Sequence, residues 1–113
     1  MSNLDPGLPG ARDAAILFAA LGDPTRLSLL TTLSDGRRRS IASLSGGTDL
    51  TRQAITKHLG VLQQAGLVES IRVGRESHYG FRPDRVETMR AYLDNVSRQW
   101  DDALGRLRAF VEG

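Results

Sequence analysis

A mainly α-helical domain with one small β-hairpin is the fold class that this 113-residue sequence predicts, and two stretches predict it. The first is Leu50 to Phe81, LTRQAITKHLGVLQQAGLVESIRVGRESHYGF, where a capped amphipathic helix precedes two short alternating segments joined at Gly74 and Arg75. The second is the closing run from Pro83, in which apolar residues recur every three or four positions. A solvent-presented helix followed by a basic hairpin is the outline of a winged helix-turn-helix. The expected architecture is about five helices, a two-stranded wing and a long C-terminal dimerisation helix.

The elements follow in order. Residues 1–10, with two Pro and two Gly, predict a flexible tail, and 11–113 a single domain. Ala11 to Leu21 is helix material with a buried stripe at Ile16, Leu17 and Ala20, ended by Gly22. Asp23-Pro24 restarts a helix with an N-cap and a first-turn proline. Its inner face is expected at Leu27, Leu30 and Leu33, and Asp35-Gly36 closes it. Arg37 to Arg39 fall in a loop, and Ser40 caps a short helix through Leu44 with Ile41 and Leu44 inward. Gly46-Gly47 makes the turn. Thr51 then caps a helix to about Ala65, with Gly66 placed for a left-handed C-terminal cap. Leu67 to Val73 and Ser77 to Phe81 predict two strands with Gly74-Arg75-Glu76 as the tip, and with Ile71, Val73, Tyr79 and Phe81 forming one apolar face.

The final helix, 84–113, carries Val86, Met89, Leu93, Val96, Trp100, Leu104, Leu107 and Val111, a seam held for about four heptads. Roughly 28 helical residues at ~1.5 Å each would reach ~42 Å, more than so small a domain can cover. The stripe needs a partner, and a second copy of the chain is the simplest one. The expected dimer interface is Ile16, Met89, Leu93, Val96, Trp100, Leu104 and Leu107.

Composition narrows the function. A net charge of +2 says little, but Arg37 to Arg75 holds seven basic residues against two acidic ones, so +5 there leaves −3 elsewhere. That asymmetry predicts a basic face on a near-neutral body. The absence of Cys rules out disulfides, thiolate metal sites and cysteine nucleophiles. No apolar run approaches the ~20 residues that span a bilayer. The N-terminus has no signal-peptide pattern, and a cytoplasmic location is expected.

The chemistry concentrates in the helix after Thr51. Ile55, Leu59 and Leu62 share one arc and belong to the core, while Gln53, Thr56, Lys57, Gly60 and Gln64 occupy the other, flanked by Arg52 and His58. No acidic residue lies between Arg52 and Gly66, which suits approach to phosphates. Gln can pair with adenine N6 and N7, and Thr can meet a base edge or the thymine methyl. Thr51 and the first-turn amides can hold a phosphate. In the hairpin, Arg75 can enter a minor groove, while Arg72 and Arg82 suit phosphates. The expected DNA-binding set is Thr51, Arg52, Gln53, Thr56, Lys57, His58, Arg72 and Arg75.

With these residues in view, the chain resembles the ArsR family of bacterial winged-helix repressors. The likeness rests on Leu21-Gly22-Asp23-Pro24-Thr25-Arg26 with Leu29-Leu30, on Thr56-Lys57-His58-Leu59 with Leu62, on Ala65-Gly66-Leu67-Val68, and on Gly74, Arg75 and Tyr79 in the wing. It spans about residues 12 to 113. The resemblance implies a homodimer joined through the first and last helices, with two recognition helices in successive major grooves of a near-palindromic operator.

The departure from the family lies in sensing. Metal-responsive members usually carry Cys on the helix matching Ser40–Leu44, or His and acidic ligands on the last helix. Here there is no Cys, the two histidines are His58 and His78, and the last helix offers Asp84, Glu87, Asp94, Asp101 and Asp102 without His. Carboxylates alone make a hard, weak site, so neither metal nor cofactor is expected. The expected partners are double-stranded DNA and a second copy of the chain, with no membrane; an effector, small molecule or protein, is left open. Three rival functions stand beside this one. A metal-responsive repressor would use carboxylate and His ligands, and a protein-interaction module would use the winged domain as a scaffold. An enzyme would need a nucleophile or phosphate-loop signature, which is missing.

Overall fold

The computed structural model describes residues 10–113, so all of the expected tail except Gly10 lies outside the described residues. The chain runs α1 (Ala11–Leu21), α2 (Pro24–Leu33), β1 (Arg39–Ser40), α3 (Ile41–Ser45), α4 (Arg52–Gln64), β2 (Val68–Val73), β3 (Glu76–Phe81) and α5 (Pro83–Glu112). Five helices match the expectation. Among the described residues the strands number three, in the order β1-β3-β2, all antiparallel. The added strand pairs Arg39 with Tyr79 and Ser40 with His78, and two residues are too few to show an alternating pattern in sequence.

Local chemistry sets the boundaries. The Asp23 carboxylate accepts from the Arg26 amide at 3.0 Å and opens α2, with Pro24 in its first turn. The Ser40 hydroxyl accepts from the Ser43 amide and opens α3, and the Thr51 hydroxyl accepts from the Ala54 amide at 3.1 Å and opens α4. At the other end of α4, the Gly66 amide donates to the Gln63 carbonyl and the Leu67 amide to the Leu62 carbonyl, each at 3.0 Å. These two bonds form a Schellman motif, which needs Gly66 at its φ of 80°. A Cβ there would also lie 3.1 Å from Arg85 Nε. Gly66→Ala is therefore expected to cost about 1–2 kcal/mol, read as a melting point lower by several degrees.

Leu17, Ala20, Leu29, Leu30, Leu33, Leu44, Ile55, Leu59, Leu62, Leu67, Val68, Tyr79 and Met89 form one core. Two expected inner residues are outside it. Leu27 is 51% exposed, and Leu29 takes its place. Steps of three residues lag a full turn by about 60° each, so Leu27 sits about 120° round the helix from Leu33. Ile16 is 59% exposed, and Ala14 takes the inward position on α1.

The wing departs in register. Val73 pairs with Glu76, Ile71 with His78, Ser70 with Tyr79 and Val68 with Phe81. Directly opposed residues share a face. Tyr79 and Phe81 therefore point inward with Val68, while Ile71 and Val73 lie on the opposite, exposed side. The cause is the turn. A three-residue tip would have paired Val73 with Ser77 and gathered the four apolar residues together. The actual tip has two residues, with Gly74 at φ 64°, and a one-residue slip exchanges faces.

Beyond its first four turns α5 leaves the domain. Its N-terminal part packs on α1, where the Phe18 and Tyr92 rings lie 6.5 Å apart. From Ser97 onward every residue is exposed. The radius of gyration is 18.5 Å, against about 13 Å for a compact chain of this length. Met89 is buried in the core of its own chain, which removes it from the expected dimer set, and Val96 is half-buried. Leu93, Trp100, Leu104 and Leu107 stand open on the exposed stripe. Ile16 lines a groove with Val61 and Gln64 of α4. No helix among the described residues is long and apolar enough to cross a membrane.

Candidate nucleic-acid interface

Burying Ile55, Leu59 and Leu62 turns the opposite side of α4 outward. Arg52, Gln53, Thr56 and Lys57 are all exposed, and with Thr51 they form one wall of a groove of about 820 Å³. Arg75, Glu76 and Ser77 from the wing line the other side, and Ser40, Ile41 and Ala42 complete it. Five of the eight expected DNA-binding residues therefore come from α4 and its cap, and a sixth, Arg75, faces them from the wing tip.

The groove's electrostatics favour an anion. Among the described residues no carboxylate lies within 4.0 Å of a charged nitrogen of Arg52, Lys57 or Arg75. Of the other cations in or beside the basic stretch, Arg37 and Arg72 likewise have no carboxylate within 4.0 Å among the described residues, whereas three are already paired. Arg38 meets Glu69 at 3.2 Å, Arg39 meets Asp35, and Arg82 meets Asp84 at 3.0 Å. Thr56 donates its hydroxyl to the Arg52 carbonyl at 2.7 Å, which leaves its methyl and oxygen lone pairs for a partner. Around Gly60 nothing lies within 4 Å of where a Cβ would stand, so its smallness keeps that part of the surface low.

Two expected residues are elsewhere. Arg72 sits in β2 opposite Ser77 and does not line the groove. His58 is half-buried and turned toward the α1–α2 junction, with Nδ1 3.4 Å from Arg26 Nη1 and 3.8 Å from Asp23 Oδ2. On the helical wheel it is a flanking position, and the flank it occupies is the inward one. Sequence reasoning missed the linings from Ser40, Ile41, Ala42, Glu76 and Ser77, although Ser40 was visible as a cap. His78 lies 3.2 Å from Glu76, two residues away on the same strand, and is half-buried. Among the described residues no three His, Cys, Asp or Glu side chains gather where they could hold a metal ion.

Two carboxyls here are held below the usual carboxylate range, Asp23 chiefly by the Arg26 amide and Asp35 chiefly by the Arg37 amide. A carboxyl whose folded value is depressed adds stability above its unfolded value and loses it as pH falls through the folded one. Urea midpoints should therefore decline as pH drops below about 4, and Asp23→Asn with Asp35→Asn should make that decline shallower.

An exposed acid-free helix, a capped entry turn and a wing bearing an unpaired arginine define a winged helix-turn-helix DNA-binding protein. Comparison with known proteins agrees. A family model described as a helix-turn-helix domain matches residues 21–71. The HTH-type transcriptional regulator YgaV of Escherichia coli is 33% identical over 76% of this chain and 87% of that one. The arsenical resistance operon repressor of Escherichia coli is 31% identical over 59% of this chain and 57% of its own. Among solved structures, an ArsR-like transcriptional regulator from Rhodococcus sp. RHA1 is 38% identical, with a TM-score of 0.74 over 88% of this chain and 92% of that one. The chain belongs to the ArsR family of helix-turn-helix transcriptional regulators. It is a DNA-binding regulator, not an enzyme.

Proposed function

We propose that the protein is a cytoplasmic homodimeric repressor that occupies a near-palindromic operator. The observation that carries this reading is the groove between α4 and the wing. Three cations without acidic partners surround Gln53 and Thr56, the two side chains suited to base edges. Thr51 and the first-turn amides of α4 position a phosphate, Arg52 and Lys57 neutralise its neighbours, and Arg75 follows the strand to the adjacent minor groove. Repression is supported by the likeness to the arsenical resistance operon repressor. The dimer is supported by the apolar stripe of Leu93, Trp100, Leu104 and Leu107 on α5, which stands exposed among the described residues. Two copies related by a twofold axis present two reading helices, and the bound sequence then carries matching half-sites.

Selection of duplexes from a random pool tests the reading. The recovered sequences should contain an inverted repeat with half-sites about one helical turn apart. Gln53→Ala should relax discrimination at one base pair per half-site, by roughly 1–3 kcal/mol, without changing salt dependence. Recovery of unrelated sequences, or unchanged discrimination in Gln53→Ala and Thr56→Ala alike, would overturn it.

A further inference from the structure

His58 is the titratable side chain of the reading helix that the groove does not use. Its ring enters the junction where α1 ends and α2 begins, and Nδ1 meets two groups that cannot both be served. Arg26 Nη1, at 3.4 Å, can only donate, and Asp23 Oδ2, at 3.8 Å, can only accept. Neutral His58, with its proton on Nε2, offers a lone pair to Arg26. Protonated His58 carries a hydrogen on Nδ1, repels the guanidinium and turns to the carboxylate. One proton therefore exchanges one partner for the other.

The two contacts are unequal. The neutral one is long for a hydrogen bond, whereas the imidazolium–carboxylate bond is charge-assisted. Neither partner is free to drift. Asp23 Oδ2 is fixed by the Arg26 amide at 3.0 Å, and the Arg26 guanidinium donates to the Ala19 and Ala20 carbonyls at the end of α1. Asp23 and Arg26 are the charged groups that meet the ring, while Lys57, its sequence neighbour, points outward into the groove. His58 also shares a turn of α4 with Thr56 and Lys57, so any change in its seating is passed to the groove wall.

We propose that His58 is a proton-gated positioning residue, which in its charged form locks the reading helix onto Asp23 and in its neutral form leaves it looser, so that DNA affinity rises as pH falls. Histidine is the side chain that ordinarily changes charge between pH 5 and 8. The effect on DNA rests on the DNA-binding reading above, whereas the lock itself does not.

The test uses the full chain and a duplex recovered by the wild type from a random pool, with affinity followed by fluorescence anisotropy from pH 8 to 5.5 at constant ionic strength. The wild type should tighten roughly five- to tenfold across that span, the low end of allosteric couplings. His58→Gln should lose the pH dependence while binding as the wild type does at pH 8. Asp23→Asn, which keeps an N-cap acceptor, should lose it too. His78→Gln should retain it. A wild-type slope surviving in His58→Gln, or an equal loss of affinity at every pH, would overturn the proposal, the second outcome marking a packing role. Amide hydrogen exchange in the free protein judges the lock without DNA. After correction for intrinsic rates, the α4 amides should be better protected at pH 5.5 than at pH 8 in the wild type but not in His58→Gln, and equal behaviour would overturn it. A wild type that binds no duplex at any pH would instead remove the DNA reading, with the lock still decided by exchange.

Discussion

Leu93→Glu combined with Trp100→Glu should yield a folded monomer that binds its operator at least a hundredfold more weakly than the wild type. Both side chains are apolar and open, at 49% and 69% exposure, and neither belongs to the core, so the single chain loses little by the change. In a twofold assembly each glutamate would face an apolar surface and its own symmetry mate, which costs desolvation and like-charge repulsion together. A monomer then presents one reading helix where the dimer presents two. The second contact, made at the high effective concentration of a linked site, adds about 10²–10⁴ in affinity. Light scattering should report the mass of one chain, and circular dichroism should report unchanged helix content. Dimers that persist would take α5 out of the interface. Met89 is the contrasting position, because Met89→Glu would put a charge in the core of its own chain and unfold it without informing on assembly.

Much of this was legible in the sequence because the signals are local. The Thr51 cap, the Gly66 stop and the Ile55-Leu59-Leu62 stripe each depend on residues within one or two turns, and all three form as expected. The errors arose where a distant partner or a single residue of register decides the outcome. β1 is a strand because Tyr79 and His78 lie beside it, and nothing within Arg39-Ser40 announces that. The wing's apolar faces changed places because its turn holds two residues rather than three. His58 had two flanks open to it on the helical wheel, and the Asp23 and Arg26 side chains, 35 and 32 positions away, give the inward one its polar partners. The apolar periodicity of α5 runs as one continuous seam, yet its first turns serve the chain's own core and its later ones stand exposed among the described residues. Periodicity reports that a face is apolar and is silent on whose surface covers it.

The same distinction between paired and free groups predicts which cations matter to DNA. Arg52→Ala, Lys57→Ala and Arg75→Ala together should weaken binding to every duplex, specific or not. They should also lower the slope of log affinity against log salt by about 0.9 per lost phosphate contact, roughly five for a dimer. Arg38, Arg39 and Arg82 carry the same formal charge and lie in or beside the same basic stretch. They already meet Glu69, Asp35 and Asp84, so each would have to give up an ion pair to meet a phosphate. Their triple alanine variant should change the slope by less than about one unit per protomer. A titration between 50 and 200 mM salt separates the two sets. If both triples flattened the slope equally, the phosphates would be following the whole basic face, and the groove between α4 and the wing would lose its claim to be the site.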